Sequence, residues 1–280
     1  MTMIRGICAL LISLPLLLAA LLPAAAQTPA VANKSPAADC DRSAFRVVVD
    51  VGHTNAGGAL SARGAFEYDF NLRLAGEIEQ SLIDAGFTKA MLVVTTDAHK
   101  TGLFLRSAVA NSLKTDLFLS IHHDAVPDRM LEKWDYNGVA HQYCDRYRGH
   151  SIFISRDNPD YGGSLLFAQM LGNSLKARDL HYTPHYVDAI MGHRRRQLVD
   201  PQAGVYRYDQ LIVLRTTRMP AVLLEAGSIV NRDEEVLLTT PEHRARICAA
   251  ATEAVEAFCA ARAAHAPVIA AKSTVRTSRR

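Results

Sequence analysis

The sequence predicts a single-domain α/β fold in which a twisted, mostly parallel sheet is flanked by helices on both faces. Short apolar runs alternate with segments of helical periodicity, which is the pattern that strand–helix–strand units produce. Three of these runs end in polar residues, at 50–53 (Asp-Val-Gly-His), 120–124 (Ser-Ile-His-His-Asp) and 220–225 (Pro-Ala-Val-Leu-Leu-Glu). Because the carboxyl ends of parallel strands meet at one edge of a sheet, a functional site is expected there.

Hydrophobic periodicity places the individual elements along the chain. Leu74, Ile78 and Leu82 fall on one helical face ahead of Gly86, which favours a helix that ends at this glycine. An alanine-rich segment begins at Pro241, and proline is favoured in the first turn of a helix. Strands are expected over 45–51, 89–94, 117–121, 149–154, 211–214 and 221–224, and helices over 68–85, 101–113, 164–177 and 241–264.

Two long stretches, 124–148 and 180–210, do not follow this alternation. The first holds Trp134, the only tryptophan, and the second holds three consecutive arginines at 194–196. Long irregular segments inside a compact domain are usually functional. Both would emerge near the polar strand ends, so both are expected to form walls of a substrate cleft.

The two ends of the chain are expected to lie outside the folded domain. A basic Arg5, an apolar run over 12–22 and small residues at 24–26 are typical of a cleaved signal peptide, with an uncleaved membrane anchor as the alternative. No later segment is long and apolar enough to span a bilayer. The expected division is a signal peptide over 1–26, a disordered lead-in over 27–44, a folded domain over 45–264 and a disordered basic tail over 265–280.

Composition limits the partners and the redox chemistry. The net charge of +3 is too small to indicate a nucleic-acid partner. Export would leave Cys40, Cys144, Cys248 and Cys259 in an oxidising compartment. Cys248 and Cys259 share the last predicted helix and would lie about 16 Å apart, so they cannot bond to each other. Cys40 can then pair with any of the other three. We expect Cys259, because the end of the last helix returns toward the start of the first strand; free or differently paired thiols are the alternative.

The polar strand ends carry the residues that a hydrolytic metal site needs. His53 and His122 follow two different strands, and Glu67 opens the helix after the first of them. Two histidines, one carboxylate and an open position form a catalytic zinc site. Glu225 is then left as a general base. Adjacent strand residues face opposite sides, so only one of His122 and its neighbour His123 should reach the metal, and we expect His122.

Each of these residues also has a structural interpretation when it is taken alone. His53 could be a turn residue, Glu67 a charge favoured by the helix dipole, and Glu225 half of a buried ion pair. The order and spacing of all the motifs together favour the metal site.

The combined motifs resemble the zinc-dependent N-acetylmuramoyl-L-alanine amidases, a family of bacterial cell-wall enzymes, over roughly residues 45–264. The resemblance implies His53, Glu67 and His122 as ligands of one Zn²⁺ per chain, with Glu225 as the catalytic base. It implies hydrolysis of the amide between N-acetylmuramic acid and L-alanine of peptidoglycan. The matching motifs are Asp50-x-Gly-His53, Glu67 ahead of Asn71-Leu72, Arg106 to Asn111, Ser120-Ile-His122, and Pro220 to Glu225 followed by Gly227 and Asn231.

The sequence departs from the family pattern at a few positions. Val51 stands where the family usually has proline, and Ser228 where it often has phenylalanine. His123 and Asp124 replace a small residue and asparagine. None of these replaces one of the four expected site residues.

Two other functions remain open from the sequence: a zinc peptidase on wall peptides, and a non-catalytic peptidoglycan-binding protein. The base at Glu225 argues against the binding protein. An exported enzyme of this kind is expected in the periplasm. The arginines at 194–196 are interpreted either as a solvated loop or as partners for carboxylates of the stem peptide.

Control of the activity is suggested by the position of the segment 124–148. In some relatives an inserted helix at this point covers the zinc until an activator protein displaces it. We therefore predict that residues 130–134 form a short amphipathic turn, with Glu132 in the open zinc position, and that an activator acts on this segment. The alternative is a cleft wall or a surface loop.

Overall fold

The computed structural model describes residues 40–55, 57–96 and 100–265. They form one compact unit. In chain order, the helices and strands are β1 Val47–Val51, α1 Glu67–Asp84, β2 Met91–Val93, α2 Lys100–Leu113, β3 Leu117–Asp124, β4 Glu132–Tyr136, β5 Val139–Tyr143, β6 Ser151–Ile154, α3 Tyr161–Lys176, β7 Gln197–Asp200, β8 Val205–Arg207, α4 Ile212–Arg215, β9 Ala221–Ser228, α5 Arg232–Thr239 and α6 Pro241–His265.

Within the described residues, seven of the strands form one sheet in the order β2-β1-β3-β9-β6-β8-β7, and β4 and β5 form a separate hairpin. Neighbouring strands of the sheet are parallel except at the β9–β6 and β8–β7 pairs. The central strands β1, β3 and β9 are buried along almost their whole length, as continuous apolar runs require. The predicted mostly parallel α/β sheet is confirmed.

Helices cover both faces of the sheet, as predicted. One face packs against α1, α3 and α6, and the other packs against α2 and α4. The large buried side chains of the first layer include Leu74, Ile78, Leu82, Phe167 and Phe258, and those of the second include Phe118, Phe153, Tyr206 and Leu214.

Local differences from the predicted elements have packing reasons. The prediction of a strand over 211–214 is wrong, because these residues lie at the start of the short helix α4. A helical turn lets the adjacent Val213 and Leu214 both enter the second core layer, whereas a strand would turn them to opposite faces. Helix α5 was not predicted; the Asn231 side chain caps it by accepting hydrogen bonds from the backbone N–H groups of Asp233 and Glu234. Strands β7 and β8 lie within the stretch 180–210 that was expected to be irregular.

The ends of the described chain bear on the predicted division. The expected signal peptide, most of the lead-in and residues 266–280 of the tail lie outside the described residues. Residues 40–44, which the sequence assigned to the lead-in, form a turn in which the Phe45 N–H donates to the Asp41 carbonyl at 3.0 Å. Within the described part of the chain, no helix is both long and apolar enough to cross a membrane.

A disulfide joins this turn to the last helix. Cys40 and Cys259 are bonded with their Cα atoms 5.3 Å apart, across a separation of 219 residues. Cys144 and Cys248 are buried free thiols. The predicted pairing is therefore confirmed, and the turn over 40–44 is tied to the end of α6.

Loss of this disulfide should destabilise the fold, because the link restricts the unfolded chain over nearly its whole length. We expect Cys40→Ser to lower the free energy of unfolding by about 2–4 kcal/mol. Chemical denaturation of the oxidised wild type and of the variant measures this difference. Under reducing conditions the two proteins should unfold alike. Equal stability of both under oxidising conditions would show that the link contributes nothing.

Candidate metal centre and active site

The first part of the site is built by three neighbouring segments at one edge of the sheet. His53 follows β1, His122 lies near the end of β3, and Glu67 is the first residue of α1. The Gly52 N–H donates to the Ile121 carbonyl at 2.9 Å, which holds the two strand ends together. A Cβ at Gly52 would lie 2.6 Å from His122 Nε2, so only glycine allows this approach.

The carboxylate of Glu67 lies between the two histidines. Its Oε2 is 3.1 Å from His53 Nε2, and its Oε1 is 3.1 Å from His122 Nδ1. Each of the three residues offers one atom that could bind a metal, and these atoms all lie within 4.8 Å of one another. The structure thus brings together the three residues that the sequence singled out as metal ligands.

The protonation states of the side chains in this cluster favour binding of a cation. Burial opposes ionisation of Glu67, but hydrogen bonds and charges from His122 and His53 outweigh it and hold the pKa of the carboxyl well below its usual value. Burial also lowers the pKa of His122. A charged carboxylate and a neutral imidazole are the forms that coordinate a metal.

Asn71, one turn along α1, orients the cluster from behind. Its amide nitrogen donates to the Gly52 carbonyl at 3.2 Å and to Glu67 Oε1 at 3.3 Å. Its Oδ1 lies 2.8 Å from Nδ1 of His123. The His123 ring therefore contacts the amide that supports the cluster, whereas the His122 ring contacts the Glu67 carboxylate itself.

A buried ionic network lies beneath the strand ends. The Nε of Arg106, on α2, donates to Asp50 Oδ1 at 2.7 Å, and a second guanidinium nitrogen also contacts this carboxylate. The Ser120 hydroxyl donates to Asp50 Oδ2 at 2.7 Å. All three side chains are almost fully buried. The network fixes β1 against β3 immediately before the residues that carry His53 and His122.

Glu225 lies beside the histidine cluster because of strand register. It is the direct partner of His122 in the β3–β9 pairing. Its Oε2 is buried and has no hydrogen-bond partner among the described residues. Burial, together with the charges of Asp124 and Glu67, raises the pKa of the Glu225 carboxyl well above its usual value. A carboxylate in this setting can accept and release a proton.

The sequence did not predict a cluster of buried polar side chains close to Glu225. Tyr186 donates its hydroxyl proton to Asp124 Oδ1 at 2.8 Å, and His185 Nε2 lies 3.5 Å from Asp124 Oδ2. Both residues come from the stretch 180–210, and both are buried. The one feature of the sequence that could have indicated these contacts is Asp124 itself, which replaces the asparagine of the family pattern.

An open cavity of about 740 Å³ contains the cluster and Glu225. The Arg194 guanidinium enters it and donates to the Ala125 carbonyl at 3.0 Å. The lining also includes Lys133, His141 and Gln142 from the β4–β5 hairpin. Both long stretches therefore form cleft walls, as predicted. The interpretation of Arg194 as a solvated loop residue is wrong, because its side chain lies partly buried in the cavity.

The predicted blocking role of Glu132 is also wrong. Residues 132–136 form a strand of the hairpin and not a helical turn, so Glu132 shares a face with Trp134. Glu132 is exposed and accepts a hydrogen bond from the Tyr143 hydroxyl at 3.0 Å. The side chain that this strand turns to the cavity is Lys133.

Comparison with known proteins supports the resemblance found in the sequence. The family model described as N-acetylmuramoyl-L-alanine amidase, Amidase_3, matches residues 47–257. The chain belongs to the Amidase_3 family. The probable N-acetylmuramoyl-L-alanine amidase AmiB of Haemophilus influenzae is 25% identical over 229 residues, covering 76% of this chain and 51% of the relative. The probable cell wall amidase LytH of Staphylococcus aureus is 27% identical over 201 residues, covering 71% and 53%. The chain thus spans about half the length of these relatives.

Several solved structures share the fold. Ami1 of Mycobacterium smegmatis superposes with a TM-score of 0.58 at 19% identity, over 78% of this chain and 98% of that one. The catalytic domain of CwlV from Paenibacillus polymyxa gives 0.55 at 24% identity, over 76% and 97%. CwlD of Clostridioides difficile, solved in complex with the lipoprotein GerS, gives 0.54 at 18% identity, over 76% and 98%.

The buried network under the site generates a stability prediction. Asp50→Asn removes the charge that compensates Arg106, so we expect the free energy of unfolding to fall by about 3–5 kcal/mol. Denaturant unfolding followed by circular dichroism measures the change. Glu253→Gln, which breaks the exposed pair of Glu253 with Arg178, should leave stability nearly unchanged. If both substitutions have the same small effect, the buried network does not hold the strand ends.

Proposed function

We propose that this chain is an N-acetylmuramoyl-L-alanine amidase that binds one zinc ion through His53, Glu67 and His122. It hydrolyses the amide that joins N-acetylmuramic acid to L-alanine in peptidoglycan. The observation that carries the proposal is the cluster of three donors beside Glu225 in one open cleft. Membership of the Amidase_3 family supports the choice of bond.

The donor set fits zinc better than a hard cation. Two imidazole nitrogens and one carboxylate oxygen form a catalytic zinc set, whereas magnesium and calcium prefer oxygen ligands throughout. The cluster opens into the cavity, which leaves room for a fourth position. A zinc ion bound here would polarise the substrate carbonyl and make a water molecule more acidic.

The residues of the chain supply the proton transfers and the positioning. Glu225 would take a proton from the attacking water and give it to the nitrogen of the departing L-alanine. Its place on β9 is set by backbone pairing and does not depend on a mobile loop. Asn71 would keep Glu67 and the His53 segment in their coordinating geometry, which is the usual contribution of groups behind metal ligands.

Two alternative functions remain: a peptidase, which would hydrolyse a different bond, and a binding protein, which would hydrolyse none. A zinc peptidase on wall peptides would use the same donor set on a different amide. A binding protein has no use for a buried, unpartnered carboxylate beside the metal ligands, so Glu225 favours an enzyme.

Location and partners follow from the proposed substrate. An enzyme that acts on peptidoglycan works in the cell envelope, and related proteins are named cell wall amidases. Export by the predicted signal peptide, and residence in the periplasm, extend this proposal. An activator that acts on residues 124–148 stays a prediction; one related structure is a complex with a lipoprotein.

The reaction is tested by mass spectrometry of peptidoglycan digested with the zinc-loaded protein. We expect free stem peptides that begin with L-alanine, and glycan strands without peptide. A chelator should stop their release, and added zinc should restore it. Products cut within the peptide would identify a peptidase instead.

Glu225→Gln should abolish this hydrolysis while zinc content stays near one ion per chain. The substitution keeps the shape of the side chain but removes the proton acceptor, and general acid–base catalysis contributes about 10²–10⁴-fold in rate. Metal analysis and product release are measured on the same sample. Turnover close to that of the wild type would disprove the role of Glu225.

The ligand assignment predicts different behaviour for adjacent histidines. His53→Ala and His122→Ala should lose zinc on dialysis against a weak chelator, because two ligands hold the ion poorly. His123→Ala is the matched control and should keep most of its zinc, since His123 faces Asn71. Retention by His122→Ala with loss from His123→Ala would reverse the assignment.

A further inference from the structure

Two basic side chains reach the metal cavity from separate parts of the chain. Lys133 belongs to β4 of the hairpin, and Arg194 belongs to the stretch between α3 and β7. Neither position lies in a motif through which the chain resembles its family. Their place in the cavity therefore calls for an explanation beyond zinc binding and proton transfer.

The hairpin is fixed so that Lys133 stays turned toward the cavity. On the opposite face of the hairpin, Trp134 Nε1 donates to the Ala62 carbonyl at 2.9 Å, and the Arg63 guanidinium carbon lies 5.5 Å from the Trp134 ring. Gly64, with φ near +89°, admits the ring of His141; a Cβ there would lie 2.5 Å from His141 Cε1. Neighbouring residues of a strand face opposite sides, so this anchoring leaves Lys133 on the undocked face of the hairpin, and both Lys133 and His141 line the cavity.

Both cations have donors left for a ligand. Among the residues that the structure describes, no side chain forms a hydrogen bond or ion pair with the Lys133 ammonium group. Arg194 donates to the Ala125 carbonyl, and a guanidinium has five N–H donors. Gln142, the cross-strand partner of Lys133, adds an exposed amide to the same wall.

Among the described residues, no acid of the cavity forms an ion pair with Lys133 or Arg194, although the charge of Arg194 opposes the raised pKa of the Asp124 and Glu225 carboxyls. Glu67 is engaged by the two histidines, and Asp124 accepts hydrogen bonds from Tyr186 and from the backbone of Ala125. Asp128 is an exposed carboxylate on the rim. Lys133 has no ion-pair partner among the described residues, and Arg194 keeps N–H donors beyond the one that it gives to Ala125. Two such cations beside the proposed hydrolytic centre are suited to an anionic group on the substrate, and a carboxylate can accept hydrogen bonds from both.

We infer that Lys133, assisted by Arg194, makes the enzyme select stem peptides with a free carboxylate on the residue that follows L-alanine. This inference rests on the proposed amidase function and specifies its substrate class. Lys133 binds this carboxylate on the peptide side of the cut amide. A peptide with a carboxamide at the same position loses the charge-assisted hydrogen bond and is cleaved less efficiently.

The test uses two muramoyl dipeptides that differ only in carboxylate or carboxamide on the second residue. The zinc-loaded wild type should cleave the carboxylate substrate with a kcat/KM about tenfold higher, a ratio that corresponds to one charge-assisted hydrogen bond. Lys133→Gln should abolish this preference, mainly through a higher KM for the carboxylate substrate. Lys133→Arg should restore it.

Lys89→Gln is the matched control, because Lys89 is exposed and outside the metal cavity and the substitution removes the same charge. It should keep the wild-type preference. Equal cleavage of both substrates by the wild type, or an unchanged preference in Lys133→Gln, would overturn the inference.

A binding measurement separates this result from a failure of the proposed function. Calorimetry with the two dipeptides that hydrolysis would release, one with a carboxylate and one with a carboxamide, requires no catalysis. Tighter binding of the carboxylate form by the wild type, lost in Lys133→Gln, is expected. If neither muramoyl substrate is cut, the amidase proposal fails; if both dipeptides bind equally, the selectivity inference fails.

Discussion

The register in which β3 pairs with β9 sets His122 directly beside Glu225, and the rest of the site is arranged around that pair. Both residues are carried by buried central strands, whose backbone hydrogen bonds leave little freedom for one side chain to move relative to the other. Glycine at position 52 lets the end of β1 close over β3, so that His53 joins the same cluster. Glu67 then fits between the histidines because its helix begins there.

Buried polar groups maintain this arrangement. Asp50, Arg106 and Ser120 satisfy one another beneath the strand ends, and Asn71 satisfies the Gly52 carbonyl and Glu67 from behind. Each group would be costly if it were left unpaired in the core. Such a network therefore tolerates few alternative arrangements, and it fixes His53, Glu67 and His122 relative to the sheet.

The cavity walls have a different structural origin from the cluster of His53, Glu67 and His122. The cluster is built by the sheet and the first helix, whereas the cavity walls come from a hairpin after β3 and a long segment before β7. The hairpin is held by Trp134, which docks on the body of the domain, and Lys133 lines the cavity from the other face of the hairpin. The second segment contributes Arg194 and, deeper in the protein, the Tyr186 hydroxyl that contacts Asp124. The residues proposed for catalysis and those proposed for selectivity thus lie on separate segments of one fold.

The sequence by itself determined the sheet, most of its helices and the four residues placed at its edge. These features are local: apolar runs define the strands, helical periodicity defines α1, alanine content and Pro241 indicate α6, and a polar residue at a strand end is visible in the chain. Even the disulfide followed from helix length and direction.

Only the tertiary structure decided the rest, because it depends on contacts between distant residues. Residues 211–214 have the composition of a strand but enter a core layer as a helical turn. Glu132 belongs to a hairpin whose facing is set by Trp134 docking on Ala62, a contact across 72 residues. Tyr186 and Arg194 reach the site across separations of 62 and 69 residues from their hydrogen-bond partners, and no local pattern encodes such a meeting.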